Sequence, residues 1–365
     1  MIMQHLQVVE LASVLAGPTV GQFFAELGAR VIKVENPHLG GDVTRSWKSA
    51  WEATDDRSAY FACCNWGKES VALDLTKAAD KAVLYELIPN ADIVIASYKP
   101  GDAEKLGVTY DQLRNLNPRL IYGAISGYGE ADARVGYDAV IQAEAGWMHL
   151  NGDAAGPPTK MPVAFVDLFA AHQLKEGLLV ALLNRERTGL GDYVSVNLLQ
   201  TALSSLANQA TNYLVGGYNP QRQGSAHPNI APYGDLFTTL DDKQLLLAVG
   251  TDRQFADLWA LLVGGAVPSD FKTNAQRVAY RDALVRRLAE AIGGWRADSL
   301  LEQLHRLKIP GGQVRSVAEA LRDPMAGAIT LSADGLQGLR TYVAQHRAGV
   351  LRGNLGAPPH LPKGE

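Results

Sequence analysis

The side chain with the clearest chemical potential is Asp167, the only charged residue in the run MPVAFVDLFAA from Met161 to Ala171. It stands where an apolar, strand-like stretch passes into a pattern whose apolar residues recur at helical spacing as far as Asn184. An ionised carboxylate in apolar surroundings costs several kcal/mol unless it is paired or hydrogen-bonded. Two hypotheses follow: Asp167 is the N-cap of this helix, or it is a chemical tool such as a nucleophile. This segment alone favours the cap.

The elements before Asp167 alternate between β-like and α-like segments. The predicted strands are 8–11, 30–35, 71–75, 92–97 and 120–126, and the predicted helices between them are 17–27, 77–87 and 110–116. This alternation predicts an α/β fold, a Rossmann-like, doubly wound parallel sheet with helices on both faces. Ligands of such sheets bind beyond the carboxyl ends of the strands. Those ends lie near residues 13–18, 35–45, 97–101 and 126–130.

The 365 residues exceed the usual size of a single core, so a second domain is expected. Residues 1–215 would form the first part of the large domain, and 216–232, rich in Gly, Pro and Asn, a linker or active-site loop. Residues 233–315 predict a smaller α+β domain. Its expected strands are 235–239 and 244–249, and its expected helices are 252–262, 274–292 and 297–306. Residues 316–365, with a strand-like stretch at 340–344, are too few to fold alone and should return to the large domain.

Composition excludes several classes of function. A net charge of -4 and a pI near 6.1 provide no basic field for a nucleic-acid backbone. The only cysteines, Cys63 and Cys64, are adjacent and offer neither a metal-ligand spacing nor a disulfide framework, which indicates a reducing, cytoplasmic compartment. The first residues lack a basic, apolar signal pattern, and the longest later apolar run, Gly177 to Leu183, is too short for a bilayer. No membrane association is expected.

Other familiar motifs are weak. The stretch from Ala16 to Gly21 follows a strand and opens a helix, but it holds two glycines where a dinucleotide site needs three, so an NAD-dependent dehydrogenase is a remote alternative. The eight histidines show no metal spacing and no pairing with a nucleophile, so no metal site is expected. Five cations lie in or near the expected ligand edge and could neutralise phosphates: Lys33, Arg45, Lys68, Lys99 and Lys105.

Several blocks of the chain, taken together and in order, carry a family resemblance. They are VVELASVLAGPTVGQFFAELGARVIKVENPHLGGDVTR, NWGKESVALDL, YKPGDAEKLGVTYDQLRNLNPRLIYGAISGYG, GYDAVIQAEAG, RTGLGDYVSVNLLQTAL, HPNIAPY and IPGGQVRSVAEAL. From near the N-terminus to about residue 360 the chain resembles the class III CoA-transferases, the CaiB/BaiF group that includes formyl-CoA transferase.

The resemblance implies that Asp167 is the nucleophile of a reversible CoA transfer between carboxylic acids. Its carboxylate would attack a donor acyl-CoA and form an aspartyl anhydride and CoA thiolate, and an aspartyl-CoA thioester would then pass CoA to the acceptor acid. Coenzyme A and acyl-CoA are substrates in this scheme, and no prosthetic group or metal is needed. The resemblance also implies an interlocked, ring-like homodimer.

The CoA contacts implied by the resemblance, with nearby cations that could serve the phosphates, are Val14, Leu15, Arg45, Leu73, Ser97, Tyr98, Lys99, Lys105, Ser126 and Tyr128. Asn36 stands where some members have an arginine, and Ser97 replaces a frequent asparagine. Lys33, Arg45 or Lys99 would then supply the missing phosphate contacts. Residues 216–232 occupy the place of a glycine-rich loop that closes over the intermediate in formyl-CoA transferase, but they lack a long glycine run.

Two alternatives share the implied fold. The α-methylacyl-CoA racemases use the equivalent Asp together with a His, and Tyr137 stands at that His position here. Because a phenol with a pKa of ~10 is a poor proton shuttle at neutral pH, Tyr137 favours transfer over racemisation. A CoA-binding protein without turnover would predict a damaged nucleophile, whereas Asp167 is present. The donor and acceptor acids stay open at this point.

Overall fold

The computed structural model of the protein describes residues 1–347 and 349–362. Its strands are β1 (Gln7–Leu11), β2 (Arg30–Glu35), β3 (Glu69–Ala72), β4 (Ile93–Ala96), β5 (Ile121–Ser126), β6 (Asp192–Asn197), β7 (Tyr233–Thr238), β8 (Gln244–Ala248), β9 (Gly311–Gln313), β10 (Thr330–Ala333) and β11 (Leu336–Leu339). Its α-helices are α1 (Ala16–Glu26), α2 (Ala59–Ala62), α3 (Ala78–Leu87), α4 (Asp102–Leu106), α5 (Tyr110–Arg114), α6 (Asp138–Glu144), α7 (Trp147–Leu150), α8 (Phe165–Thr188), α9 (Leu198–Ser204), α10 (Asn208–Leu214), α11 (Asp252–Leu262), α12 (Asn274–Ala279), α13 (Arg281–Ile292), α14 (Ala297–Arg306), α15 (Val317–Ala320) and α16 (Pro324–Gly327). Short 3₁₀ helices lie at Pro37–Leu39, Val43–Ser46, Ile88–Asn90 and Ser269–Phe271.

The main sheet has the strand order β3-β2-β1-β4-β5-β6, and all of its pairings are parallel. This is the doubly wound order, so the predicted Rossmann-like sheet is confirmed. The strand order reverses between β1 and β4. Their carboxyl ends therefore diverge into a crevice, which is where such sheets bind ligands.

Alternating side chains of the central strands explain the two helical layers. Val8 of β1 and Ile95 of β4 belong to the core that includes buried residues of α1 and α8. Val9 and Val94, one position away in each strand, belong to the core on the opposite face with α3 and α5. Because successive side chains in a strand point to opposite faces, both faces must be apolar, and the strands read as continuous apolar runs.

The chain divides into two compact units. The first comprises residues 1–147, 161–207 and the described residues from Met325 onward, and the second comprises 148–160 and 208–324. The second unit holds the antiparallel sheet β7-β8-β9, and its core combines residues of these strands with residues of α11, α13 and α14. The predicted domain boundaries stay a prediction. Among the helices described here, none combines the length and apolar character that crossing a bilayer requires.

Two predicted elements toward the C-terminus differ from the structure. The strand predicted at 340–344 is wrong: the antiparallel hairpin β10–β11 precedes it, and the backbone N–H groups of Thr341 and Tyr342 donate to the Glu26 carboxylate instead of to a strand. The single helix predicted over 274–292 is two helices, α12 and α13. They are interrupted at Tyr280, whose φ of -108° and ψ of 30° are not helical.

Candidate functional site

A cleft of about 310 Å³ opens at the carboxyl ends of β1 and β4, where the strand order reverses. The Ser13 N–H after β1 donates to Ser97 Oγ after β4 at 3.3 Å, which links the two strand ends. The lining residues are Ser13 to Gly17, Ser97 to Pro100, Asp102, Ile125 to Gly127, Asp132, Arg134 to Tyr137, Asp167 and Leu198. The cleft therefore joins the predicted ligand edge to the predicted nucleophile.

Asp167 is the third residue of α8, with only 8% of its surface exposed. The N-cap prediction is wrong, because Ala164 is the capping residue and no side chain of its own caps the helix. The strand-like stretch before it is also wrong, since residues 161–164 form a loop. Within residues 1–347 and 349–362, no hydrogen bond to the Asp167 carboxylate is present. Burial, followed by the charge of Asp138, raises the pKa of Asp167 to about 7.

Asp138, the first residue of α6, performs the capping that sequence reasoning gave to Asp167. Its Oδ1 accepts the Val166 N–H at 2.9 Å, and its Oδ2 accepts from Gln142 Nε2 at 2.6 Å. The Gln142 Oε1 in turn accepts the Met161 N–H at 2.9 Å. Both ends of the short segment before Asp167 are thus tied to α6 through buried polar groups.

The turn between β1 and α1 is held by buried charges. Val14 has a φ of 72°, a conformation that a β-branched residue rarely adopts. Its N–H donates to both oxygens of the Asp42 carboxylate, at 3.3 and 3.2 Å, and Lys33 Nζ donates to Ala12 O at 2.8 Å. Lys33 also pairs with Glu10 and Asp42, both at 2.9 Å. These fully or nearly buried groups impose the backbone shape that Val14 presents to the cleft.

The predicted CoA contacts fall into two groups. Those that line the Asp167 cleft are Val14, Leu15, Ser97, Tyr98, Lys99 and Ser126. A second cavity of about 380 Å³ shares Tyr98, Lys99 and Ser126 and continues over β5 and β6. The predicted contacts that line neither cavity are Arg45, Leu73, Lys105 and Tyr128.

Those four residues have other surroundings. Leu73 is buried just after β3 and belongs to the apolar core on the α3 face. Lys105 projects into solvent and pairs with Asp102 at 3.1 Å. The Tyr128 ring lies under the Arg134 guanidinium, 3.9 Å from the ring centroid.

Arg45 is a correction among the predicted phosphate ligands. It is 5% exposed, and its guanidinium donates to the Glu35 carboxylate at 2.6 and 2.8 Å, to Asp56, and to Pro359 O. Lys33 and Lys68 are likewise buried and pair with Glu10. Because their donors already serve buried protein acceptors, these cations stabilise the fold. Of the five cations predicted at the edge, Lys99 and Lys105 keep exposed side chains.

Sequence reasoning missed Asp138, Gln142, Asp42 and the cleft cation Arg134. The buried charges around Asp42 were indicated in the sequence by Glu10 and Lys33, which are charged residues inside apolar strands. The register of β1 and β2 places these two residues directly opposite each other. Asp138 had no such signal beyond the block GYDAVIQAEAG, because the Val166 N–H that it accepts lies 28 positions later in the chain.

The structure also contains one group with the donor types of a metal site. In the described chain, the group is Asp55, Asp56 and His360, and all three are exposed. Asp55 pairs with Arg57 at 2.5 Å, and Asp56 pairs with both Arg45 and His360. These ion pairs account for the cluster, and no metal is assigned to it.

Comparison with known proteins identifies the family. A sequence profile described as CoA-transferase family III matches residues 3–349. Succinate–glutarate CoA-transferase from Agrobacterium fabrum (strain C58) is 38% identical over 338 residues, which cover 90% of this chain and 84% of the relative. Acetyl-CoA:oxalate CoA-transferase from Acetobacter aceti is 34% identical over 329 residues, which cover 88% of this chain and 83% of the relative.

A solved structure agrees with these relatives. The crystal structure of a CaiB/BaiF family protein from Brucella suis matches with a TM-score of 0.85 and 38% identity, covering 99% of this chain and 96% of that chain. The chain therefore belongs to CoA-transferase family III, as predicted, and it is an enzyme that transfers CoA. Its substrates include CoA thioesters.

Proposed function

We propose that the protein transfers CoA between carboxylic acids through covalent intermediates on Asp167. An Asp167 oxygen attacks the acyl carbonyl of the donor thioester, the C–S bond breaks, and CoA leaves as the thiolate. The thiolate then attacks the Asp167 carbonyl, which releases the donor acid and leaves an aspartyl-CoA thioester. The acceptor carboxylate reverses these two steps, and the free Asp167 carboxylate is regenerated with a new acyl-CoA.

The observation that carries this proposal is the Asp167 carboxylate itself. It lines the cleft at the sheet's ligand edge, is 8% exposed, and has no hydrogen-bond partner in the described chain. A buried carboxylate without partners is costly to the fold, which favours a chemical role over a structural one. Burial also strips water from the attacking oxygen, and the raised pKa makes it a stronger nucleophile once ionised.

The surrounding backbone supports anhydride and thiolate chemistry. The first turn of α1, including Ala16 and Gly17, lines the same cleft. Neither N–H is donated to another group in residues 1–347 and 349–362, so both can face developing negative charge. Gly17 also lets α1 pack closely against the end of β1, because a Cβ there would lie 2.3 Å from the Ala12 Cβ.

We further propose that the transferred acids are dicarboxylic. One relative is named for succinate and glutarate and another for oxalate with acetyl-CoA. The second carboxylate of a dicarboxylic acid needs a cation near the nucleophile. Arg134 lines the cleft with 58% of its side chain exposed, and its guanidinium forms exposed ion pairs with Asp132 at 2.9 Å and with Glu144 at 3.5 Å. Its planar guanidinium can bind a carboxylate through two N–H groups. The distal carboxylate of the acid would thus pair with Arg134 while the other end reacts at Asp167.

The remaining assignments follow from this chemistry. CoA in the cleft would contact Val14, Leu15, Ser97, Tyr98, Lys99 and Ser126.

A homodimer is supported by three exposed apolar side chains of α8. Phe169, Val180 and Leu183 are 38, 66 and 70% exposed, and their spacing places them on one face of the helix. A second copy would remove this apolar face from water. Its interlocked form stays part of the proposal.

Trapping of the covalent intermediates tests the proposal. The protein is incubated with succinyl-CoA and treated with hydroxylamine, which converts an activated carboxyl into a hydroxamate, and the labelled peptide is mapped by mass spectrometry. The label is expected on Asp167 and should disappear in Asp167→Asn. The control Asp102→Asn removes another cleft carboxylate and should retain the label. CoA exchange without any label on Asp167 would overturn the covalent route.

A further inference from the structure

We infer that Asp138 is a positioning residue for CoA transfer, which fixes the first turn of α8 and destabilises the free Asp167 carboxylate relative to its acylated forms. This inference rests on the proposed covalent role of Asp167. It gives the buried Asp138 carboxylate a function beyond capping. The geometry, the charge balance and the chemistry of the cycle each contribute to it.

The geometry fixes Asp138 in place. It is 7% exposed, and both carboxylate oxygens are engaged, Oδ1 by the Val166 N–H and Oδ2 by Gln142 Nε2. Gln142 is fully buried, and its Oε1 accepts the Met161 N–H. Because Val166 directly precedes Asp167, the hydrogen bond that the Val166 N–H donates to Asp138 holds the first turn of α8 and, with it, the position of Asp167 in the cleft.

The repulsion between the Asp138 and Asp167 carboxylates is not offset by a nearby cation in the described chain. Burial and the neighbouring Asp138 carboxylate both raise the pKa of Asp167. From α2, Tyr60 faces the same charge: its pKa is raised to about 12 by burial first and by Asp167 second. The other ionisable groups that line the cleft are Tyr98, Lys99, Asp102, Asp132, Arg134 and Tyr137. In the described chain, no cation forms an ion pair with Asp167.

The reaction removes this repulsion at its first step. When Asp167 attacks the thioester, its oxygen becomes part of a neutral anhydride, and the negative charge departs on the CoA thiolate. The following aspartyl-CoA thioester is also neutral at Asp167, so both covalent states escape the charge of Asp138. The free carboxylate returns only when the product acyl-CoA forms. Asp138 therefore raises the equilibrium population of covalent enzyme relative to free enzyme.

The test substitutes Asp138→Asn, which preserves side-chain size and an Oδ1 acceptor for the Val166 N–H. It removes the charge and also the acceptor for Gln142 Nε2. Two readouts are measured: the acid limb of the pH profile of kcat/KM for succinyl-CoA, and the fraction of Asp167 trapped by hydroxylamine at equilibrium. The acid limb should move to lower pH, and the trapped fraction should fall several-fold. Asp257→Asn, which removes an exposed carboxylate on α11 that lines neither cavity, should change neither readout. A purely structural role for Asp138 would lower activity without moving the acid limb.

The outcomes separate this inference from the proposed function. If native enzyme gives no label on Asp167 at any pH, the covalent route fails. If native enzyme is labelled but Asp138→Asn shows the same acid limb and trapped fraction, only the role of Asp138 is overturned. Should Asp138→Asn not fold, Asp138→Ser takes its place, because it removes the charge and keeps a hydroxyl oxygen as acceptor for the Val166 N–H. An acid limb and a trapped fraction equal to those of native enzyme would again overturn the inference.

Discussion

Replacing Asp167 with asparagine should stabilise the folded protein by an amount that grows with pH. The pKa of Asp167 is about 7 in the folded chain, against an ordinary value of 3.8 when unfolded. Between these values the folded state keeps a proton that the unfolded chain has lost, so the free energy of unfolding falls as pH rises. Below the unfolded pKa both states are protonated and the penalty is absent. Above about 7 the penalty is complete.

The magnitude follows from the pKa difference. A shift from 3.8 to about 7 corresponds to about 4 kcal/mol, and about 3 kcal/mol of this develops between about pH 4.5 and about pH 8. Asparagine has nearly the same size and cannot ionise. Any packing cost of the amide is independent of pH, so it cancels when the two pH values are compared.

Urea unfolding of wild type and Asp167→Asn at both pH values measures this difference. The free energy of unfolding of Asp167→Asn, minus that of wild type, should increase by about 3 kcal/mol from the lower to the higher pH. Asp102→Asn removes a carboxylate from the exposed rim of the same cleft and shows what an exposed charge contributes. An equal gap at both pH values would refute the reasoning, because the proton on Asp167 would then not be linked to folding.

Two further substitutions test other parts of the structure. Gly21→Ala would place a Cβ 1.8 Å from Glu10 Oε2 and force apart the buried charges beneath α1, so the free energy of unfolding in urea should fall by about 3 kcal/mol. The control is Gly353→Ala, where a Cβ meets open space, and an equal loss of stability in both variants would contradict this expectation. Arg134→Gln should raise KM for dicarboxylic acceptors by about tenfold while KM for acetate changes little, as measured by chromatography of the acyl-CoA products. An equal rise for both acids would argue against a distal-carboxylate contact.

Much of the large unit could be predicted from the sequence, because local periodicity encodes both an element and its buried face. The apolar strands at residues 8–11 and 92–97 (Val8–Leu11 and Asp92–Ser97) predicted central strands, and their carboxyl ends do line the cleft. The wrong predictions in this unit also came from local patterns. Apolar residues 161–164 resemble a strand but form a loop, since their backbone groups pair with Gln142 and other non-strand partners.

The sequence by itself determined the doubly wound sheet, the family and the candidate nucleophile, since these depend on residue type, spacing and order. Only the tertiary structure decided which charges meet. In the tertiary structure Arg45 is buried against Glu35, Asp138 lies close enough to Asp167 to raise its pKa, and no cation of residues 1–347 and 349–362 pairs with Asp167. The physical reason is that an electrostatic effect depends on distance and on exclusion of water, and both are set by how distant segments pack.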